Sequence, residues 1–329
     1  MKSLFLSVFL LFFMQGCSSK QYYAPQESSI FGIDKKIITT PSYIASLNAN
    51  GATTRDNRVI NNFGISEFRL LDGYEYVNNT DKGMITANKK GDLLISDTNT
   101  TINFRTNVVA ATLKDNLLAM VFADNSYGVY DLNENKFKLK EYLENSYIND
   151  TRIAMPVILN KIILFPTLDG KIVIVEKESF KVSRTLLIDS QNDIKNIILL
   201  KTVGDTLISA SQNKLVSLNK GKYTSKELII QNYSVNDEFI YLALLDGTVM
   251  KLDFDLNIVA SKKFKFAKFH AISLDKGNNI YLIESQGYII KLENDFSTMQ
   301  VYNLPFYDDE KVYVNGDKIY FENKLLKLD

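Results

Sequence analysis

The stretch Ile240–Asp253 reads Ile-Tyr-Leu-Ala-Leu-Leu-Asp-Gly-Thr-Val-Met-Lys-Leu-Asp, and Ile280–Glu293 repeats the design as Ile-Tyr-Leu-Ile-Glu-Ser-Gln-Gly-Tyr-Ile-Ile-Lys-Leu-Glu. Each stretch holds two short apolar segments separated by a turn that ends in glycine. Glycine accepts the positive φ angle that a tight hairpin turn requires. The two stretches therefore predict two β-hairpins of the same construction.

The same hairpin recurs along most of the chain. Its turn residues are Gly91, Asn125, Gly170, Asn213, Gly247, Gly287 and Asn323. Six positions after each of them stands an acidic residue or an asparagine: Asp97, Asp131, Glu176, Asn219, Asp253, Glu293 and Asp329. Two positions after each turn residue the side chain is always apolar or aromatic, which indicates a fixed strand register. We expect the acidic residue to open the next turn.

Successive turn residues lie 34, 45, 43, 34, 40 and 36 positions apart. A repeat of roughly 40 residues with four strand-like segments is typical of a β-propeller blade. In one repeat these segments are 233–236, 240–244, 248–252 and 258–264. No segment shows a sustained helical period. The predicted fold is therefore an all-β β-propeller.

The number of blades depends on both ends of the chain. An eighth, degenerate copy lies at Asp56–Ile60, placed 34 residues before Gly91. The last repeat ends on its third strand, so its outer strand has to come from elsewhere, and Ile37–Tyr43 is a suitable donor. An open ring would expose sheet edges, which such closure removes. We predict eight four-stranded blades closed by an N-terminal strand, with seven blades as the alternative.

The N-terminus predicts a targeting segment. After Lys2 comes an apolar run, Leu4–Met14, that is too short to span a bilayer and is typical of a secretory signal peptide. Met14-Gln15-Gly16-Cys17 resembles the lipobox of bacterial lipoproteins, which implies cleavage after Gly16 and lipidation of Cys17, the single cysteine. The expected organisation is residues 1–16 as signal peptide, 17–36 as lipidated cysteine and flexible tether, and 37–329 as propeller.

Composition excludes several kinds of site. The 329 residues carry 38 Lys+Arg against 38 Asp+Glu, with one histidine, one cysteine and no tryptophan. A balanced charge lacks the excess of basic residues that is typical of proteins that bind nucleic acid. One histidine with one cysteine cannot form a zinc site of these two ligand types. His270 is expected to be a partly buried strand residue or a loop contact. Lys262–Phe269, with alternating lysine and phenylalanine, is interpreted as an outer strand with its apolar side inward.

Asp246-Gly247-Thr-Val-Met-Lys-Leu-Asp253 resembles the repeat of the quinoprotein-like propellers, typically Asp-Gly-x-Val-x-Ala-Leu-Asp. The resemblance spans roughly Ile37–Asp329. Enzymes of that family hold a quinone between a tryptophan and a pair of adjacent cysteines, with calcium. This chain has no tryptophan and no cysteine pair. We therefore expect no enzymatic activity and no cofactor or metal.

A lipid-anchored propeller without a cofactor resembles the propeller lipoproteins of the β-barrel assembly machinery, commonly called the BamB family. The resemblance implies a periplasm-facing scaffold of the outer membrane that assists insertion of β-barrel proteins. Ser18, directly after Cys17, favours the outer membrane under the sorting rule of such lipoproteins. The alternatives are another protein-binding envelope lipoprotein, such as a surface adhesin or an accessory subunit, and an enzyme if purified protein carries a metal or quinone. Asn99, two residues after Asp97, matches an acceptor pattern for bacterial N-glycosylation.

Overall fold

The structure is a computed structural model that describes residues 21–28, 37–144, 146, 150–191, 194–304 and 311–328. The predicted signal peptide, Cys17 and Asp329 lie outside the described residues. Those described residues that have regular secondary structure form strands arranged in eight four-stranded antiparallel sheets. Within this part of the chain, no helix is long and apolar enough to cross a membrane.

The eight sheets are the blades of a β-propeller, and seven of them use four consecutive strands. The first strand, β1 (Ile37–Thr39), belongs to the last blade and not to the blade formed by the strands that directly follow it. Blades 1 to 3 follow as β2 (Ile44–Asn48), β3 (Gly51–Thr54), β4 (Arg58–Asn61), β5 (Gly64–Arg69); β6 (Tyr74–Thr80), β7 (Gly83–Asn88), β8 (Asp92–Ile95), β9 (Thr100–Asn103); and β10 (Val108–Lys114), β11 (Leu117–Phe122), β12 (Ser126–Asp131), β13 (Lys136–Tyr142).

Blades 4 to 8 continue the same order. Their strands are β14 (Val157–Ile158), β15 (Ile162–Pro166), β16 (Lys171–Glu176), β17 (Val182–Leu187); β18 (Leu199–Val203), β19 (Thr206–Ala210), β20 (Lys214–Asn219), β21 (Lys222–Glu227); β22 (Ile230–Val235), β23 (Ile240–Leu244), β24 (Thr248–Leu252), β25 (Ile258–Lys263); β26 (Phe269–Leu274), β27 (Ile280–Glu284), β28 (Tyr288–Leu292), β29 (Met299–Asn303); and β30 (Val312–Asn315), β31 (Lys318–Phe321), β32 (Lys324–Lys327).

Strand β1 closes the ring. It pairs antiparallel with β32, with Ile37 opposite Leu326 and Thr39 opposite Lys324, and so supplies the outer strand of blade 8. The eight-bladed prediction is confirmed and the seven-bladed alternative is wrong. The donor strand is shorter than the predicted Ile37–Tyr43, because the chain turns after Thr39 and enters blade 1 at Ile44.

Each sheet is buried on both sides, which explains the continuous apolar runs in the sequence. Along β27, Ile280 and Leu282 pack towards blade 6, whereas Tyr281 and Ile283 pack towards blade 8. Successive side chains of a strand point to opposite faces, so both neighbouring blades have to be met by apolar groups. The core is accordingly a series of wedges between blades around the ring.

Candidate protein-binding surface

The turns that carry the sequence repeat all lie at one end of the ring, which we call the turn face. It contains the turns between the second and third strands of each blade and the connections from one blade to the next. At seven turns the carbonyl oxygen of the turn residue accepts a hydrogen bond from a backbone N–H just beyond an outer strand. These bonds, of 2.6–3.0 Å, run from Leu70 to Asn57, Phe104 to Gly91, Ile188 to Gly170, Leu228 to Asn213, Phe264 to Gly247, Leu304 to Gly287 and Thr40 to Asn323.

Asn125 makes the corresponding link in blade 3 with its side chain. Its Nδ2 donates to the carbonyl of Glu144 at 2.8 Å, and its Oδ1 accepts from the N–H of Leu168 in the next blade at 2.8 Å. Asn57, in the degenerate copy of the repeat, and Asn323, at the turn of blade 8, both keep the backbone link. The repeated turn residue therefore ties the outer end of each blade to its centre.

The backbone at the predicted turn residues differs from blade to blade. Left-handed φ angles occur at Gly91 (89°), Asn125 (61°), Gly170 (85°), Gly247 (81°) and Gly287 (88°). In blade 8 the positive φ, 48°, is at Glu322, one position before Asn323. Asn213 uses its side chain, whose Nδ2 donates to the carbonyl of Ile194 at 3.0 Å.

Glycine at two of these turns is required by close packing as well as by φ. A Cβ atom at Gly247 would lie 2.1 Å from the carbonyl oxygen of Phe264, and one at Gly170 would lie 2.1 Å from that of Asp189. Both obstacles are backbone atoms, which cannot move aside independently. The turns are therefore closely packed supports for the side chains beside them.

Large apolar side chains are exposed on the turn face. Ile229 and Leu245 are about half exposed, at 50% and 51%, and the N–H of Leu245 donates to the carbonyl of Ile229 at 2.9 Å. Further exposed apolar residues at this end of the ring are Tyr43, Leu71, Leu187 and Phe266. The pair at Ile229 and Leu245 belongs to the packed turn of blade 6, so it forms an apolar feature on a rigid element. Such features mark interaction surfaces more often than scattered apolar residues do.

The segment Asp150–Ala154 leads into blade 4 at this same end and has contacts with the two blades that follow. The guanidinium of Arg152 bonds to the carboxylate of Asp150 and also donates from Nη1 to the carbonyl of Gln231 in blade 6. Asn196, just before blade 5, donates from Nδ2 to the carbonyls of Asp150 and Arg152 at 3.3 and 3.2 Å. This segment, here called the brace, therefore links the connection that enters blade 5 with the inner strand of blade 6.

Tyr233 completes this brace. Its hydroxyl donates to the carbonyl of Ile198 at 2.6 Å. Burial raises the pKa of Tyr233 to about 12, and the neighbouring Arg152 acts weakly in the opposite direction. The phenol therefore remains a neutral donor throughout the physiological range.

The opposite end of the ring carries the recurring acidic residues. Asp253 Oδ1 accepts the backbone N–H groups of Asp255 and Asn257, and Asp131 Oδ1 accepts those of Asn133 and Glu134. Partial burial acts to raise the pKa of Asp253, but the hydrogen bonds from Asn257 and the backbone outweigh it, so the pKa lies below its usual value. These carboxylates open turns, as their spacing predicts.

Other residues that the sequence singled out lie apart from one another. His270 is half-buried in β26, and Asn99 is exposed at the turn between β8 and β9 with φ of 50°. Among the described residues no group of three or more His, Cys, Asp or Glu side chains is placed to hold a metal ion.

The interpretation of Lys262–Phe269 as one outer strand is wrong. Strand β25 ends at Lys263, a short loop follows, and β26 begins at Phe269. Phe264 and Phe269 are buried, whereas Phe266 has φ of 65° and is exposed on the turn face. The loop reverses the direction of the chain into the next blade, so strict alternation ends at Lys263.

Sequence analysis missed the apolar pair on the turn face and the brace at Arg152. A signal for the first existed, because Leu244 and Leu245 are consecutive leucines directly before a turn, and only Leu244 is buried. No local signal indicates that Arg152 contacts Gln231, 79 positions later in the chain.

Comparison with known proteins supports the fold. No protein-family model matches the chain. The structure is similar to BamB from Moraxella catarrhalis, with a TM-score of 0.65, 14% sequence identity and coverage of 88% of this chain and 97% of that one. It is also similar to the C-terminal WD40 domain of Sif2, with a TM-score of 0.63, 13% identity and coverage of 89% and 98%. At these identities the likeness shows a shared propeller fold.

Sequence comparison finds longer relatives that match nearly the whole of this chain. The plasminogen-binding protein PgbB of Helicobacter pylori strain J99 is 23% identical over an alignment of 384 positions, gaps included, which covers 99% of this chain and 71% of the relative. PgbB of Helicobacter pylori strain 26695 is also 23% identical and is covered to 70% of its length.

Proposed function

We propose that this chain is a non-catalytic, lipid-anchored propeller of the bacterial outer membrane that acts by binding another protein. The observation that carries the proposal is the apolar pair Ile229 and Leu245, half exposed on a closely packed turn. Binding energy at protein interfaces is concentrated in a few well-supported side chains. The anchor is Cys17, in its lipobox-like context.

The first candidate partner is a component of the β-barrel assembly machinery, contacted from the periplasmic side. The likeness to BamB in fold and the predicted anchor support this candidate. A photoactivatable side chain placed at Leu245 in cells should crosslink to a barrel-assembly component. The matched control is the same probe at Tyr223, an exposed residue on the outer strand of blade 5. Recovery of no such component from Leu245, or equal recovery from both positions, would reject this candidate.

The second candidate is a surface-exposed binding protein, and the similarity to PgbB over 99% of the chain favours it. Here the partner to test is plasminogen itself, with the purified lipidated chain. Binding that is lost in the double variant Ile229→Asp, Leu245→Asp and kept in Tyr223→Asp would support it. Protease treatment of intact cells separates the candidates, because a periplasmic scaffold is protected and a surface protein is cleaved.

The absence of catalysis is part of the proposal and has its own test. It rests on the sequence, which offers one histidine, one cysteine and no tryptophan for a quinoprotein-type site. A stoichiometric metal or quinone in protein purified from its native envelope would overturn it.

A further inference from the structure

Residues 21–28, here called the N-terminal strap, lie against the outside of blades 6 and 7. The ring of Tyr23 meets Phe264 edge-on at 6.0 Å between centroids and Tyr288 at 5.9 Å. Tyr23 thereby joins the apolar wedge between the two blades. Burial raises the pKa of its hydroxyl, and the carboxylate of Glu284 acts in the same direction. Edge-to-face aromatic pairs stabilise a contact beyond the effect of the area that they bury.

The strap continues along a groove of about 700 Å³ between two outer strands. One wall is the end of β25 with Lys262 and Lys265, and the other is the start of β29 with Met299. The next strand of the chain is β1, which is the outer strand of blade 8. The strap therefore contacts blades 6 and 7, although the strand that follows it completes blade 8. This is a contact that closing the ring does not require.

The short length of chain between Tyr23 and the predicted anchor, Cys17, limits how far blades 6 and 7 can lie from the membrane. Cys17 lies six positions before Tyr23, and six residues reach at most about 20 Å even when fully extended. A lipidated Cys17 sits at the bilayer surface. The docked Tyr23 therefore keeps the rim of blades 6 and 7 within about 20 Å of the membrane.

The same rim has a composition that suits a lipid headgroup layer. On the outer strands, Ile258, Val259 and Met299 are exposed, Val259 to 52% and Met299 to 42%. Lys262 and Lys265 line the same groove as Met299, and Lys263 is paired with Asp246. Exposed apolar side chains among lysines bind at the interface of bilayers that contain anionic lipid.

We propose that the strap, with Tyr23 as its docking residue, holds the rim of blades 6 and 7 against the lipid surface. The plane of the ring is then perpendicular to the membrane. The turn face points parallel to the membrane surface and is accessible to a partner in the same membrane. The orientation rests on the lipid anchor of the proposed function, whereas the docking of the strap does not.

The docking is tested without a membrane. Because the chain has no tryptophan, a single introduced tryptophan reports one place in the fold. In the full chain in detergent, Met299→Trp should emit at shorter wavelength than the same variant carrying Tyr23→Ala, since loss of the strap exposes the groove. Tyr22→Ala, which removes an exposed tyrosine of the strap, is the matched control. Equal emission with and without Tyr23 would overturn the docking.

The orientation is tested on vesicles. The lipidated chain is reconstituted with phosphatidylethanolamine and phosphatidylglycerol that carry bromine on their acyl chains. Val259→Trp should be quenched about two-fold more than Tyr142→Trp, because only side chains at the interface approach the acyl region. Tyr142 is an exposed residue on the outer strand of blade 3, far around the ring from blades 6 and 7. Adding Tyr23→Ala to Val259→Trp should abolish the difference.

The outcomes separate the two proposals. Equal quenching at Val259→Trp and Tyr142→Trp, in protein whose mass shows acylated Cys17, would reject the orientation and leave the anchor intact. A mass without acylation would reject the anchor, and with it the orientation, while the emission of Met299→Trp would still decide whether the strap docks.

Discussion

The junction between blades 6 and 7 and the junctions on either side of blade 1 differ in the size of the apolar cluster that joins the neighbouring sheets. Between blades 6 and 7 the wedge is a large apolar cluster. Its buried members are Tyr241, Ala243, Val249, Phe264, Ala267, Phe269, Ile272, Ile280, Leu282, Ile290, Leu292, Phe296 and Val301. Beside blade 1 the clusters are small, with Ile44, Ala52, Ile60 and Tyr320 on one side and Val59, Leu70, Tyr76 and Met84 on the other.

Hydrogen bonds from side chains cross the junctions at blade 1, as they do between blades 6 and 7, where Asn236 Nδ2 donates to Asn278 Oδ1 at 3.1 Å. Asn50 Nδ2 donates to the carbonyl of Val77 at 3.4 Å, and Asn61 Nδ2 donates to Asn79 Oδ1 at 3.3 Å, both towards blade 2. Towards blade 8, Tyr313 donates its hydroxyl to the carbonyl of Asn50 at 3.1 Å. A net hydrogen bond contributes about 1 kcal/mol, whereas a buried leucine contributes several times more.

The small clusters fit the degenerate copy of the repeat in blade 1, because a wedge filled by apolar side chains requires the repeated apolar positions. Blade 1 also adjoins the blade that is completed from both ends of the chain. The pairing of β1 with β32 closes the ring at that blade.

The largest expected contrast comes from removing apolar volume in each region. Leu282→Ala empties a fully buried position between blades 6 and 7, where little can relax, and should cost close to about 5 kcal/mol in the free energy of unfolding. Met84→Ala beside blade 1 should cost nearer to about 2 kcal/mol, because Met84 borders a cavity of about 380 Å³ open to water. Urea unfolding of both variants measures this. Equal losses would show that the two wedges do not differ.

The second contrast uses two glycines with the same backbone angle. Gly247 in blade 6 has φ of 81°, and Gly73 between blades 1 and 2 has φ of 80°. A Cβ at Gly247 would meet a carbonyl oxygen at 2.1 Å, whereas a Cβ at Gly73 would meet nothing within 4 Å. Gly247→Ala should therefore cost about 3 kcal/mol or more. Gly73→Ala should cost only about 1 kcal/mol for the left-handed backbone.

The thermal midpoints of these two variants provide the measurement. A Gly73→Ala midpoint as low as that of Gly247→Ala would mean that φ alone sets the cost. In that case the close contact between turn and blade connection would have no energetic role.

Alkaline pH should weaken the junction at blade 1. Burial raises the pKa of Tyr76 from 10.0 to about 12, with a hydrogen bond to Asn61 acting in the opposite direction. The folded state thus keeps this proton more tightly than the unfolded chain. The contribution is fully present below pH 10 and is lost as the pH rises towards 12, by about 2–3 kcal/mol.

Tyr76→Phe should flatten the decline in stability over this pH range, as measured by urea unfolding at a series of pH values. Tyr223→Phe, which changes an exposed phenol on the outer strand of blade 5, controls for the loss of a hydroxyl. An unchanged slope in Tyr76→Phe would contradict the assignment.

The smallest effect is expected from single amide bridges. Asn48 donates from Nδ2 to the carbonyl of Tyr76 in blade 2, and Asn232 donates to that of Phe269 in blade 7. Asn48→Ala and Asn232→Ala should each cost about 1 kcal/mol. Hydrogen exchange should separate them, with faster exchange in β2–β4 for Asn48→Ala and little change around β22 for Asn232→Ala, where the apolar cluster remains. Equal acceleration in both regions would contradict this contrast.

Much of the fold could be predicted because its signals are local. The hairpin at Asp246-Gly247, the acidic turn at Asp253 and the spacing between turns all operate within a single blade. The eighth blade was predicted from Asn57, which retains a left-handed φ of 64° and the carbonyl link to Leu70. The candidate binding surface could not be predicted, because exposure of Ile229 and Leu245 depends on how the connection between blades 5 and 6 lies over the turn.

By itself, the sequence determined the repeating unit and favoured eight blades over seven, because turn residues and strand alternation act over a few neighbouring positions. Only the tertiary structure decided that Arg152 reaches Gln231, that Phe266 points outward and that Tyr23 docks beside Phe264. The contact of Arg152 joins residues that belong to different blades, and the contact of Tyr23 joins the strap to a blade. Phe266 lies in the loop that leads from one blade to the next. Their geometry depends on how the closed ring aligns its sheets, and no repeat within one blade contains that information.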